Sequence, residues 1–370
     1  MEYDFYIYAA ALSKLFAYKP AVALKLIDRV GNIGNIFKLN KEELGEILPF
    51  NKEMLEALTN PALLDWAQKE IDWAHANEVQ TLYITDQNYP YRLRECYDAP
   101  ILLYYKGKAD LNARRVISVV GTRKASYYGK SSCRKVIEEL ALSSKPLVIS
   151  GLAYGIDATA HRAAMEYGLS TVGVMATGID TIYPHQHRGL AEEMLGKKGG
   201  LVTDFYRGCE AIKINFIKRN RIIAGMADAV LLGESYSKGG GLITTSLASS
   251  YSREVYAIPG RIGDDSFEGC NTLIERDAAR IVTNPGTISS SMGWKERKSH
   301  TKAFVTDLFE GISGKNARSI LNTLKDRDSL TAEQIEGRTG IPLRELSTEL
   351  LQLEISGKIV QIMGDKYSIA

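Results

Sequence analysis

The sequence predicts an α/β protein organised on a doubly wound parallel sheet, and three observations carry that prediction. Residues 116–120 (Val-Ile-Ser-Val-Val) are almost wholly apolar and β-branched, as strands covered on both faces are, and they empty into Gly121-Thr122-Arg123. A second such run, 146–150, empties into the loop from Gly151 to Asp157. Strand-like and helix-like runs then alternate to about residue 283, the pattern of repeated βαβ units. Two neighbouring strand-to-helix loops therefore face one side of the sheet, where open α/β sheets bind ligands and helix N-termini favour anions. Arg123, directly after a loop glycine, is a phosphate-contact candidate; on its own it reads equally as a solvent-facing turn residue.

Taken in order, residues 1–78 carry apolar residues at spacings of three and four over Phe5–Leu15, Pro20–Val30, Lys41–Leu48 and Lys52–His75. Such short helices resemble a sterile-alpha-motif or helix-hairpin-helix module. Tyr18-Lys19-Pro20 stands where a DNA-gripping glycine hairpin would lie, so a packing or protein-contact role is expected. Val79–Asp110 reads as irregular, because Asn88-Tyr89-Pro90 and Ala99-Pro100 break any helix; only Ile101–Tyr105 is strand-like. Beyond 116–120 the alternation runs as a helix over 126–142, strand 146–150, a helix ending at Tyr167, strand 171–175, a helix near 188–195, and strands 200–203, 229–233, 254–258 and 280–283. Residues 79–284 are thus expected to form one sheet domain, and 285–301, with Pro285-Gly286 and the basic run Lys295–Lys298, a linker. Over 302–370, helix-like runs at 303–310 and 318–324, a helix opening at 330–333, a turn at 339–342, a helix over 343–356 and a hairpin of 358–362 with 366–369 give the order of a winged helix-turn-helix. Its second helix sets Arg344 against Glu345, Glu349 and Glu354, a poor surface for approaching phosphates, which favours protein contact over DNA reading there.

Composition bounds the function. A chain of 370 residues with 45% hydrophobic and 24% charged residues is ordinary for a globular protein. Neither an apolar run of membrane-spanning length nor a basic leader before a hydrophobic run is visible, so a cytoplasmic protein is expected. Cys96, Cys133, Cys209 and Cys270 form no CxxC pair, and His185 and His187 have no acidic or cysteine partner at ligand spacing, so no metal is expected. The formal net charge of +2 means that any polyanion must be held by a local patch.

Three further stretches supply such a patch. Residues 213–221 place Lys213, Lys218, Arg219 and Arg221 around Phe216; interleaved cations and an aromatic suit a single strand, although Phe216 also reads as a core anchor. Gly239-Gly240-Gly241 opens a helix through Leu242-Ile243-Thr244, again offering backbone N–H groups to phosphate, without the Gly-Lys-Ser/Thr of a P-loop. Ile258-Pro259-Gly260 ends a strand at the same face.

Gly121-Thr122-Arg123, Ser150 to Asp157 with Ala160-His161, Phe216 with Arg219-Asn220-Arg221 to Gly225, Gly239 to Thr244 and Ala257 to Gly260 stand in the order of one family: the sequence resembles the DNA-processing protein A family (DprA, also called Smf). The resemblance implies an extended Rossmann-like core that binds single-stranded DNA in a basic pocket, protects incoming strands, dimerises, and loads the RecA recombinase during natural transformation. It implies no catalysis and no cofactor. Carried over by motif, Arg123 and Lys213 would hold phosphates, Phe216 would meet a base, and the loop of Ser150, Gly151, Leu152, Ala153 and Gly155 would give backbone donors. Gly121, Thr122, Asn215, Arg219, Asn220, Arg221, Gly239, Gly240, Gly241 and Thr244 complete the expected DNA-contact set.

Two other classes compete. A dinucleotide oxidoreductase would need GxGxxG after the first strand and an acidic residue ending the second, where Gly-Thr-Arg and Ser150 stand. A nucleotide-processing hydrolase of the phosphoribohydrolase type would have a related glycine loop followed by a glutamate, and residues 242–252 contain none. Asp157 and His161, four apart on one helix face, read either as an acid/base pair or as a turn carboxylate and a satisfied histidine.

Overall fold

Strands buried on both faces need neighbours on both edges, and the computed structural model, which describes residues 2–47, 52–294, 314–324, 330–362 and 366–369, shows how they find them. The chain opens with helices α1 (Glu2–Leu15), α2 (Pro20–Val30), α3 (Ile33–Ile36), α4 (Lys41–Ile47), α5 (Lys52–Leu58) and α6 (Pro61–Ala76). The single helix expected over 52–75 is two. Pro61 biases Asn60 away from helical geometry, and the Asn60 side chain accepts from the Ala62 N–H at 3.0 Å, capping α6. The segment expected to be irregular contains β1 (Gln80–Tyr83) and the short α7 (Tyr91–Arg94) before β2 (Leu102–Gly107), with which β1 pairs antiparallel.

The sheet continues through β3 (Val116–Val120), α8 (Tyr127–Ser143), β4 (Leu147–Ser150), α9 (Ile156–Glu166), β5 (Thr171–Val174), α10 (Arg188–Gly196), β6 (Gly200–Thr203), α11 (Lys213–Gly225), β7 (Ala229–Leu232), α12 (Gly240–Ser250), β8 (Glu254–Ala257), α13 (Glu268–Glu275) and β9 (Arg280–Ile281). Strand order is β1-β2-β6-β5-β4-β3-β7-β8-β9, with β6 to β9 in that list mutually parallel and β1 and β2 antiparallel at one edge. From β3 the chain adds β4, β5 and β6 on one side, then returns so that β7 lies against β3 with Ile117 opposite Ala229. The order reverses there, and the crevice beyond the carboxyl ends of β3 and β7 is the topological switch point.

All five residues of β3 are buried, and Val116, Ile117, Val119 and Val120 share an apolar cluster with Ile137 and Leu140 of α8 and Ala229 to Leu232 of β7. Leu12, Leu26 and Ile71 of the N-terminal helices share a second cluster with Leu102, Tyr104 and Leu201, so these helices cover the β1-β2-β6 end of the sheet. The segment read as a linker is helical over α14 (Thr287–Ser291), and Ile288 and Trp294 are buried in the first cluster; residues 295–301 lie outside the described residues. Residues 1–295 make one compact unit and 296–370 another.

The second unit contains α15 (Lys315–Leu324), β10 (Leu330–Thr331), α16 (Ala332–Thr339), α17 (Leu343–Ile355), β11 (Ile359–Ile362) and β12 (Lys366–Ile369), its sheet ordered β10-β12-β11. Ile320, Ile335, Leu346, Leu350 and Ile359 form its core, and Thr331 with Gln334 closes a capping box on α16. This is the expected winged-helix order; the helix read over 303–310 lies outside the described residues. Among the described residues no helix is long and apolar enough to cross a membrane, and no group of three or more histidine, cysteine or acidic side chains is placed to hold a metal.

Candidate functional site

A pocket of about 630 Å³ opens at the switch point between β3 and β7. Its walls are the loop after β3 (Gly121, Thr122, Arg123), the turn into α9 (Ala153, Asp157), one face of α11 (Lys213, Phe216, Ile217, Arg219, Asn220, Ile223) and the start of α12 (Gly239, Gly240, Gly241, Ile243, Thr244).

The first loop is shaped by a residue that the sequence reading missed. Thr122 N–H donates to the Glu234 carbonyl at 2.8 Å, and the fully buried Glu234 carboxylate accepts from Ser126 N–H (2.9 Å) and Ser126 Oγ (2.8 Å). Ser126 in turn caps α8 by accepting from Gly129 N–H. A polar residue ending the apolar run Leu231-Leu232-Gly233 is the signal that could have flagged Glu234. The second loop packs directly on the first: Gly155 has φ of +75°, and a Cβ there would lie 2.1 Å from the Thr122 carbonyl oxygen. Arg123 is thereby held at the mouth with its side chain exposed and its guanidinium 5.0 Å from the Phe216 ring centroid. Lys213, also exposed, opens α11; Phe216 is half-buried, with the Tyr183 ring 5.4 Å away. Phe216 is therefore a rim residue and not a core anchor. The first turn of the eleven-residue α12 faces the same space, where its dipole favours an anion.

The inner wall is built by Arg219 and Asp157, which meet through the backbone of Gly151. Arg219 is 4% exposed and donates from Nη1 to the Gly151 carbonyl (2.6 Å) and to that of Val174. Burial pulls its pKa down to about 10, against the attraction of Asp157, so it remains a cation at neutral pH. Asp157 Oδ2 accepts from Gly151 N–H (3.1 Å) and Ala153 N–H (3.3 Å); burial raises its pKa while Arg219 opposes that shift.

Several expected contact residues lie elsewhere. The Gly151 and Ala153 N–H groups, expected as donors to a ligand, are taken by Asp157. Ser150 is buried and donates from Oγ to the Val119 carbonyl at 2.6 Å, and the Leu152 side chain lies in the second apolar cluster. Gly151 and Gly155 brace the loops behind the pocket wall. Asn215 and Arg221 sit off the pocket face of α11: Asn215 accepts from Tyr18 Oη (2.8 Å) and donates to the Glu210 carbonyl (2.9 Å), while Arg221 pairs with Asp204 and donates to the Asp98 carbonyl. The physical reason is the 3.6-residue period. Positions 213, 216, 217, 220 and 223 share one stripe of a helix with Arg219 at its edge, and 215 and 221 flank that stripe, where Tyr18 and Glu210 take up Asn215 and Asp98 and Asp204 take up Arg221.

Asp157 and His161 form no acid/base pair. His161 Nδ1 lies 2.7 Å from Thr171 Oγ1, whose hydroxyl donates to the Val148 carbonyl, so the ring nitrogen is the donor. Burial pushes the His161 pKa down to about 3, and Nε2 has no hydrogen-bond partner. His187 is likewise buried, its Nδ1 2.7 Å from the Leu152 carbonyl.

With this geometry in hand, comparison with known proteins is direct. The model of the family described as DNA recombination-mediator protein A matches residues 80–293, and that of the DprA winged helix domain matches 313–365. The DNA processing protein DprA of Streptococcus pneumoniae is 39% identical over 229 residues, covering 61% of this chain and 80% of that one. Protein Smf of Synechocystis is 29% identical and covers 97% of this chain and 98% of its own. The X-ray structure of DprA from Streptococcus pneumoniae superimposes with a TM-score of 0.63 at 33% identity, covering 78% of this chain and 97% of that one. A structure of DNA processing protein A from Helicobacter pylori, described as giving insight into a single-stranded DNA binding mode, shares the fold at a TM-score of 0.53 and 24% identity, over 58% of this chain and 95% of that one. The loops that build the pocket all fall within the matched span of residues 80–293, and the chain belongs to the DNA recombination-mediator protein A family of DNA-processing proteins, DprA and Smf.

Proposed function

We propose that the pocket at the β3/β7 switch point binds single-stranded DNA, and that through it the protein acts as a recombination mediator without catalysing a reaction. The observation that carries this reading is the convergence on one pocket of two exposed cations, Arg123 and Lys213, a ring, Phe216, and the N-terminus of α12. Cations and helix N-termini hold a phosphate backbone, and a ring accepts a base only when that base is unpaired. The Helicobacter pylori relative, described by its single-stranded DNA binding mode, supports the same ligand. As further parts of this proposal, the protein protects incoming strands, loads RecA, acts as a homodimer and is cytoplasmic, and membership of the DNA recombination-mediator family supports the first two. The hydrolase reading finds less support: Asp157 is the one carboxylate lining the pocket among the described residues, and its Oδ2 is committed to two backbone N–H groups beside Arg219.

Titrating the purified protein against labelled single-stranded and duplex oligonucleotides of equal length tests the reading. A clear single-strand preference that weakens as salt rises is expected. Equal affinity for duplex, or turnover of added nucleotides, overturns it.

A further inference from the structure

The segment 181–187 carries aromatic surface that neither the fold nor the pocket accounts for. Tyr183 packs on Phe216 at 5.4 Å with the ring planes 64° apart, and its side chain is 46% exposed. Arg123 also lies over Phe216, so Tyr183 extends the aromatic surface of this rim beyond the half-buried Phe216 ring. Three residues along the chain, Gln186 Oε1 accepts from Tyr154 Oη at 2.6 Å; Tyr154 is 41% exposed, and its ring stands 4.7 Å edge-on from His187. The His187 ring is itself fixed on the Leu152 carbonyl. Tyr183 and Tyr154 are thus each held before any ligand arrives, Tyr183 by the Phe216 ring and Tyr154 by Gln186 and the His187 ring.

We infer that Tyr183 and Tyr154 form a second base platform, on which bases of a single strand stack after its backbone leaves Arg123 and Lys213. The inference rests on the proposed single-strand reading. Continuity with that pocket selects the occupant: stacking on a ring face tolerates any base sequence, and rings already oriented lose little freedom on binding. A duplex has its base faces covered and gains nothing from this surface.

The test uses the full chain, its Tyr183→Ala, Tyr154→Ala, Tyr183→Phe and Tyr183→Trp variants, and oligothymidylates of about 4 and about 16 nucleotides. Tyr183→Ala and Tyr154→Ala are expected to bind the longer oligonucleotide about 5- to 150-fold more weakly, with the shorter one, which fills the pocket alone, little changed. Tyr183→Phe keeps the ring and should keep the affinity. In Tyr183→Trp, the emission in excess of the wild type's three tryptophans should be quenched as the longer oligonucleotide saturates, a readout that survives even if an alanine variant folds poorly. If wild type binds both lengths and the two alanine variants match it, or if the indole emission stays unchanged at saturation, the platform is refuted while the pocket stands. If wild type binds neither length, the single-strand reading fails and the platform with it.

Discussion

Lowering the pH should reveal His161 as a buried structural histidine, and the size of the effect follows from its surroundings. An exposed histidine titrates near 6.5, whereas burial on the sheet-facing side of α9, with one ring nitrogen donating to Thr171 and the other unpartnered among the described residues, holds His161 to about 3. Its folded pKa lies below its unfolded one, so the unfolded chain takes up the proton first. The resulting stability is fully present above about pH 6.5 and is lost as pH falls from there towards 3. At about 1.4 kcal/mol per unit the loss is about 2 kcal/mol at pH 5 and about 5 kcal/mol at pH 3, against a typical net stability of about 5–15 kcal/mol. Asp157 and Asp204, whose pKa values burial raises, act in the opposite sense, so the comparison must be with a variant and not with pH alone. His161→Gln removes the ionisable ring and keeps an amide within reach of Thr171. Urea denaturation at about pH 7.5 and about pH 5 should show wild type losing about 2 kcal/mol more than the variant. Equal losses, or a His161 ring titrating near 6.5 by NMR, would refute the reasoning and reopen an acid/base role beside Asp157.

Arg123→Ala and Lys213→Ala, both on exposed side chains, should each weaken single-strand binding by about 1–3 kcal/mol and reduce the slope of log affinity against log salt by about 0.7. Anisotropy titrations over a salt series check this, and unchanged slopes in both variants would place the phosphates elsewhere. Arg221→Ala leaves the Asp204 carboxylate buried without its partner, and should cost about 3–5 kcal/mol of stability with no change in the affinity of the folded fraction. Chemical denaturation paired with titration separates the two effects, and a selective loss of affinity would return Arg221 to the binding face. A chain ending after residue 295, the bound of the first compact unit, should fold and retain single-strand binding. Loss of most affinity with an intact circular dichroism spectrum would assign binding to the winged-helix unit.

The sheet was legible because its strands are buried on both faces. Runs such as 116–120, 171–175 and 229–233 are apolar enough to stand out without knowledge of their neighbours, and the observed strands agree to within about a residue. β1 was not legible. An edge strand with only Leu82 and Tyr83 buried carries half the apolar signal, and its assignment depends on β2 lying beside it. Ile288 and Trp294 share a stretch with a proline, glycines and serines, and their burial is decided by the first apolar cluster, contributed by distant strands and helices. In the site, the glycine loops were legible because each is a local strand-to-helix device. Asn215 and Arg221 were misplaced because a dense basic stretch says nothing of which helix face each residue takes. Glu234 with Ser126 and Arg219 with Gly151 join segments far apart in sequence, and these partners appear only once the chain has folded.

Among the described residues the pocket carries three cationic side chains, Arg123, Lys213 and Arg219, against the single carboxylate of Asp157, whereas the whole chain has a formal net charge of only +2. Its field is therefore short-ranged, since beyond about 8 to 10 Å in physiological salt the positive wall is screened and the rest of the molecule adds little. A polyanion approaching this protein is not drawn in from a distance. Capture should proceed at the ordinary rate of an oriented encounter, about 10⁵–10⁷ M⁻¹s⁻¹, with little dependence on salt, and ionic strength should act on escape. How long a strand stays, more than how fast it is found, then becomes the quantity that the pocket sets.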